Sequence, residues 1–117
     1  MVIKKGRRGK MKTYTIKISD IFSPTPKGRV HPDDGPNTGQ RFREQFLEPI
    51  FNDYEKIIID LDDLYGCPSS FREEAFGGLV RKLKVKPQVV LNKLSFISTD
   101  EPPLIDEIIK DIKGAND

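Results

Sequence analysis

The 117-residue chain has no tryptophan, a single histidine and a single cysteine. One thiol, Cys67, excludes an intramolecular disulfide and any metal site built on several thiolates, and it fits a reducing, cytoplasmic setting. With no histidine near it in sequence, Cys67 reads as a small corner residue and not as a nucleophile. One imidazole, His31, excludes sites that need two; beside Asp33 and Asp34 it reads as a surface residue. No apolar run approaches the ~18 residues that cross a bilayer. The first residues also lack the apolar core of a secretion signal. A soluble protein with no membrane partner is therefore expected. The length suits one domain, burying roughly two thirds of the surface its unfolded chain exposes.

What is plentiful is charge, unevenly placed. The net charge is +2, yet Lys4, Lys5, Arg7, Arg8, Lys10 and Lys12 stand in the first twelve residues with no acid among them, so the remainder carries about −4. Residues 1–12 read as a solvated, disordered basic arm preceding a domain over 13–114. Lys4, Lys5, Arg7, Arg8 and Lys10 also give the arm the cations that nucleic-acid phosphates attract through counterion release.

Along the domain, "YTIKI" (Tyr14 to Ile18) alternates at period two and predicts a half-buried strand with Tyr14, Ile16 and Ile18 inward. From Ser23 to Thr38 the chain holds four prolines and two glycines in sixteen residues, which excludes a regular helix and leaves room only for a short strand at Arg29–Val30. Long loops of this kind are often functional. Thr38 is placed to cap a helix whose Phe42, Phe46 and Ile50 form one apolar ladder and Leu47 and Phe51 another, with a kink or end at Pro49. "KIIIDL" (Lys56 to Leu61) predicts a central strand buried on both faces. A second helix is expected from Ser70 to Leu83, with Gly77 and Gly78 permitting close approach to the sheet. Residues 84–92 give no clear signal. "KLSFIS" (Lys93 to Ser98) reads as a strand, and a last helix follows, capped by Asp100 and stopped by Gly114. Alternating strands and helices indicate a small α/β domain.

Chemistry, if any, concentrates in "IIIDLDDLYGCPSSFREEAFGG" (Ile57 to Gly78). Asp60 and Asp62 have the spacing of an Asp-x-Asp pair that supplies a nucleophile and a general acid around magnesium in phosphatases of the haloacid-dehalogenase type. A receiver-type phosphoacceptor would need an acid pair directly after the first strand, whereas Asp33 and Asp34 lie in the proline-rich loop. Ser70 with Glu73 matches a capping box, which leaves Ser69 over. A strand-to-helix turn at the carboxyl end of a parallel strand is where open α/β sheets place their sites.

From Ile59, "IDLDDLYGCPSSFREEAFG" resembles the signature of STAS domains, the fold of bacterial anti-sigma factor antagonists and of sulfate-transporter tails. Asp60-Leu61 takes the position of the Asp-Leu pair, Leu64 and Cys67 take apolar positions, and Ser69-Ser70 take the hydroxyl pair. "GR" at Gly28-Arg29, "TGQRFRE" from Thr38 and "SSFREEAFGGLV" from Ser69 resemble, more closely, a STAS-like family of unknown function whose members occur alone or near histidine-kinase-type ATPases. That likeness covers most of residues 14–112.

The resemblance implies a STAS-like single domain with a mixed sheet of four to five strands and three to four helices. It implies a phosphorylatable serine, here Ser69, through which a partner kinase turns protein binding on or off. Pro68 stands where the signature has an acid and Phe71 where it has a glycine, so Phe71 is expected to crowd the turn and Pro68 to remove a charge and an amide. The expected function is a non-enzymatic regulatory or adaptor module. It would bind a kinase-like ATPase or another regulator through Arg29, Ser69, Ser70, Phe71, Arg72 and Glu74, without metal or cofactor. The alternatives are a magnesium-dependent phosphatase using Asp60 and Asp62, and nucleic-acid binding by the arm.

Overall fold

Three strands, β1 (Met11–Lys17), β2 (Tyr54–Asp60) and β3 (Leu94–Ile97), lie side by side in the order in which the chain makes them, and both pairs are parallel. A computed structural model of the chain describes residues 11–115. β1 takes in Met11 and Lys12 from the segment read as the basic arm. The rest of the arm, with Lys4, Lys5, Arg7, Arg8 and Lys10, lies outside the described residues.

The expected mixed sheet of four to five strands is corrected to three parallel strands among the described residues. Arg29 and Val30 make no strand, because their amides are taken by the Asp34 carboxylate at 3.0 and 3.1 Å. Residues 84–92 supply no strand either. Pro87 starts a helix there, its missing N–H harmless in the first turn.

Among the described residues five helices connect and cover the sheet, against the three to four expected. They are α1 (Ile18–Ile21), α2 over residues 39–50, α3 over residues 69–83, α4 (Pro87–Lys93) and α5 (Pro103–Lys113). Thr38 caps α2 as expected, its hydroxyl accepting from the Arg41 amide at 3.2 Å. α2 then widens into a π turn (Arg43–Leu47), where the Glu48 amide reaches back five residues to Arg43, and it tightens into a 3-10 turn (Glu48–Ile50) at Pro49. α3 holds a second π turn (Glu73–Gly77). α5 starts at Pro103 and not at an Asp100 cap, and it ends at Gly114 as its sequence indicates.

The strand order decides which face is covered. Right-handed crossovers joining strands in the order 1-2-3 send both connections over the same face. Burial agrees. The rows Tyr14–Ile57–Leu94 and Ile16–Ile59–Phe96 face the helices, and Ile16, Ile57, Ile59 and Leu94 are buried. On the opposite face Thr15 and Ser95 are exposed, Ile58 is half-buried and Ile97 is 42% exposed. β2 is therefore central but buried on one face, where two were expected. Tyr14, expected inward, is 39% exposed and stacks on Tyr54.

Between sheet and helices lies a cluster of aromatic rings. Phe42, fully buried, meets Phe22, Phe46, Phe71 and Phe76 at centroid distances of 5.3 to 6.2 Å. Gly77 and Gly78 serve helix-to-helix approach where helix-to-sheet was expected. A Cβ on Gly78 would lie 2.5 Å from the Arg43 guanidinium of α2, and one on Gly77 would lie 3.2 Å from the Asp111 carbonyl of α5. Gly39 is tighter still, since its Cβ would lie 2.4 Å from the Phe71 carbonyl of α3. These contacts fix how α3, which carries the serine pair, sits on the domain.

Candidate functional site

The acids after β2 are committed to holding its exit loop. Asp60 Oδ1 accepts from the Asp62 amide at 2.9 Å, closing an Asx turn. Asp62 Oδ1 accepts from the Thr99 and Asp100 amides at 2.8 and 3.0 Å, and Oδ2 accepts from the Thr99 hydroxyl. Those bonds, the Thr99 hydroxyl first and the Asp100 amide next, hold the Asp62 carboxyl below its usual pKa. Asp63, at φ +67, pairs with Lys17 at 2.7 Å and gives its amide to Asp100 Oδ2. The hydrogen bond between the Lys17 ammonium and the Asp63 carboxylate raises the Lys17 pKa. The spacing that suggested a nucleophile and a general acid here ties the end of β2 to the end of β3. Among the described residues no group of three or more His, Cys, Asp or Glu is arranged to hold a metal ion.

A pH prediction follows for Asp62. Its folded pKa lies below the unfolded value of about 3.8, so its contribution is complete above about pH 5 and is lost as pH falls through the folded value. The gap in urea midpoint between wild type and Asp62→Ala should be constant above about pH 5 and shrink in acid. A gap unchanged down to about pH 2 would show that the carboxylate's charge is not what stabilises the loop.

The serine corner differs from its expected local form. α3 begins at Ser69, one residue early, with Pro68 in the cap position and no side chain capping it. The capping box of Ser70 and Glu73 is not made, because Glu73 turns instead to Arg81 at 2.7 Å and to Arg29 at 2.5 Å. Arg81 and then Arg29 lower its pKa. Ser69 is exposed and Ser70 half-buried. Phe71, expected to crowd the turn, is fully buried among the rings and leaves the turn open. Burial pushes the Cys67 thiol up to about 12, which favours its protonated form.

Arg29 and Arg72, read as candidate contacts for a partner protein, are both in internal ion pairs. Arg29 joins the proline-rich loop to Glu73 and Glu74 of α3 at 2.5 and 3.6 Å. Arg72 joins α3 to Asp111 and Glu107 of α5 at 2.9 and 3.7 Å. Burial outweighs Arg72 at Asp111 and leaves that carboxyl raised. Glu74 also takes the Arg43 guanidinium at 2.6 Å. Arg43, 1% exposed, is the charged residue that sequence reasoning missed. Its signal was there, since Arg43 falls at i, i+4 spacing between Gly39 and Leu47, both buried. His31 is exposed, its ring against the Gly35 carbonyl.

Beside the serines, the loop after α1 and the loop after β2 border a cleft of about 530 Å³. Thr25 to Gly28 and Asp34 form one wall; Tyr65, Gly66, Pro68 and Ser70 form the other. The Tyr65 amide bonds the Pro24 carbonyl at 2.9 Å and joins the two walls. Gly28, at φ +83, has no room for a side chain, since its Cβ would lie 2.3 Å from that of Asp34.

Residues 38–103 match the sequence family described as a STAS-like domain of unknown function, which covers more than half of the chain. No curated protein and no solved structure matches it. The matched region runs from the cap of α2 to the start of α5, and so it takes in β2, the serine corner and β3.

Proposed function

Because the chain belongs to the family of STAS-like domains of unknown function, we propose that it is a non-enzymatic regulatory or adaptor module, binding a partner protein at the start of α3, with Ser69 as a phosphorylation switch. The observation that carries this reading is the placement of Ser69, exposed as the first residue of α3 beside an open cleft, with no side chain capping that helix end. A phosphate on Ser69 adds about −1.5 to −2 charge. Glu73 stands one turn further along the helix, and like charges at that spacing repel. Modification therefore strains the Glu73 pairing with Arg29 and alters the surface formed by the proline-rich loop and α3. Arg29, Ser70, Arg72 and Glu74 belong to that surface, whereas Phe71 anchors it from inside. A serine-kinase-type ATPase fits as the modifying partner, as the resemblance implies. Among the described residues no helix is long and apolar enough to cross a membrane.

The test is quantitative capture of binding proteins on wild type, Ser69→Ala and Ser69→Asp. At least one partner should differ tenfold or more between Ser69→Ala and Ser69→Asp, and Ser69 should carry phosphate in protein recovered from its host. The same partners at the same strength on all three would end the switch reading.

A further inference from the structure

We infer that the chain pairs with a second copy of itself along the outer edge of β1, strand against antiparallel strand, so that two three-stranded sheets become one continuous sheet. β1 (Met11–Lys17) ends the sheet, with β2 on one side of it and no hydrogen bond from any described residue on the other. Successive residues of a strand point to opposite faces. Lys12, Thr13, Tyr14 and Thr15 are nevertheless all exposed, so neither a helix nor a loop shields this edge among the described residues. Natural folds shorten, bend or cover such an edge, or place proline on it, because its free amides and carbonyls recruit another strand. β3, the other edge, has only four residues. β1 runs for seven without a proline, against a usual length of about five to six.

The residues along the edge make a second copy the partner that fits. Two copies of β1 related by a two-fold axis through Tyr14 engage all seven residues of the strand, and moving the axis one residue either way leaves five of them paired. With the axis at Tyr14, that residue stands opposite Tyr14 of the second copy, Thr13 opposite Thr15, Lys12 opposite Ile16 and Lys17 opposite Met11. No lysine meets a lysine, and the threonine and tyrosine pairs are of the kind that stabilises antiparallel strands. Tyr14 is 39% exposed and already stacks on Tyr54 with centroids 4.8 Å apart, so the pairing extends an aromatic stack that stands at the edge. The contact is small. Seven residues a side fall short of the roughly 20–30 of a standard interface, which sets the expected dissociation constant in the micromolar range.

The test is sedimentation equilibrium of the full chain at concentrations up to about 500 µM, with an expected dissociation constant of about 10–100 µM. Two charge variants read the register. Thr13→Glu with Thr15→Glu sets like charges opposite each other on both sides of the axis, whereas Thr13→Glu with Thr15→Lys sets opposite charges there. Both positions are exposed and Thr13 lies beside Lys56 of β2, so the fold accommodates these changes, as urea unfolding of each variant checks. The first variant should dimerise at least about tenfold more weakly than the second. Hydrogen exchange of the β1 amides that point away from β2 should slow as the wild-type concentration rises. A chain that stays monomeric at about 500 µM overturns the proposal. Protected outer amides in that monomer would assign the edge to residues 1–10 of the same chain, and unprotected ones would leave it to a strand of another protein. Equal dimerisation of the two charge variants also overturns it, by moving the contact to another surface. The measurement needs neither a kinase nor a phosphate, so its outcome is independent of the Ser69 switch.

Discussion

Replacing Arg43 with alanine lowers the free energy of unfolding by about 3 kcal/mol, because the loss strands carboxylates that the fold has drawn out of water. Arg43 is 1% exposed; its Nε bonds Glu48 Oε2 at 2.7 Å, and its Nη1 bonds both the Glu74 carboxylate and the Glu74 carbonyl, at 2.6 and 2.8 Å. Removing a buried partner typically costs about 3–5 kcal/mol. The lower end applies here, since Glu74 is 17% exposed and Glu48 more so, and water can reach both in part. Arg43→Met should cost nearly as much, because it restores volume but not charge. Adding Glu74→Gln to Arg43→Met should recover part of the loss. Urea unfolding followed by circular dichroism measures all three proteins. A cost below about 1 kcal/mol for Arg43→Ala would mean that this pair is no more than a surface bridge.

Gly39→Ala is the second large effect, and here two principles predict opposite signs. Helix propensity alone favours alanine by up to about 1 kcal/mol. Packing opposes it. The new Cβ would lie 2.4 Å from the Phe71 carbonyl and 2.9 Å from the Ala75 amide, both backbone atoms of α3, so no rotamer change relieves the contact and α2 and α3 must separate. Overpacking of this kind costs about 1–3 kcal/mol, and backbone against backbone belongs at the upper end. A net loss of about 2 kcal/mol is expected in the same urea experiment. A stabilised Gly39→Ala protein would show that the two helices can part without penalty.

Much of this architecture is legible residue by residue. The Thr38 cap, the phenylalanine ladders of α2, the β-branched run of β2 and the stop at Gly114 are local signals, and each is where its pattern puts it. What is not legible depends on residues far apart in the chain. "IIID" has the same composition whether one face of its strand is covered or two; the strand order decides, and no single segment encodes it. The Ser70–Glu73 motif fits a capping box, yet Glu73 is claimed by Arg29, 44 residues away, and Pro68 starts the helix early. Asp62 answers to Thr99, 37 residues on, and that partner turns a spacing suggestive of chemistry into a brace. The cleft is assembled from two loops and exists only once β1 and β2 are paired. Ser69 was visible because it is what remained once its neighbours had structural reasons. Ser70 proves to have lost the reason it was given.

The match between strand order in space and strand order in the chain bears on how the protein is made. β2 docks on β1, and β3 docks on β2, so no strand has to be inserted between two already paired. A chain emerging from the ribosome can add each strand and its following helix to a finished edge, with loop closure needed only over the stretch just synthesised. The growing edge is always the newest strand, and α5, last to emerge, closes the helical layer over α3 and α4. Synthesis from the amino end is thus also a workable order of assembly.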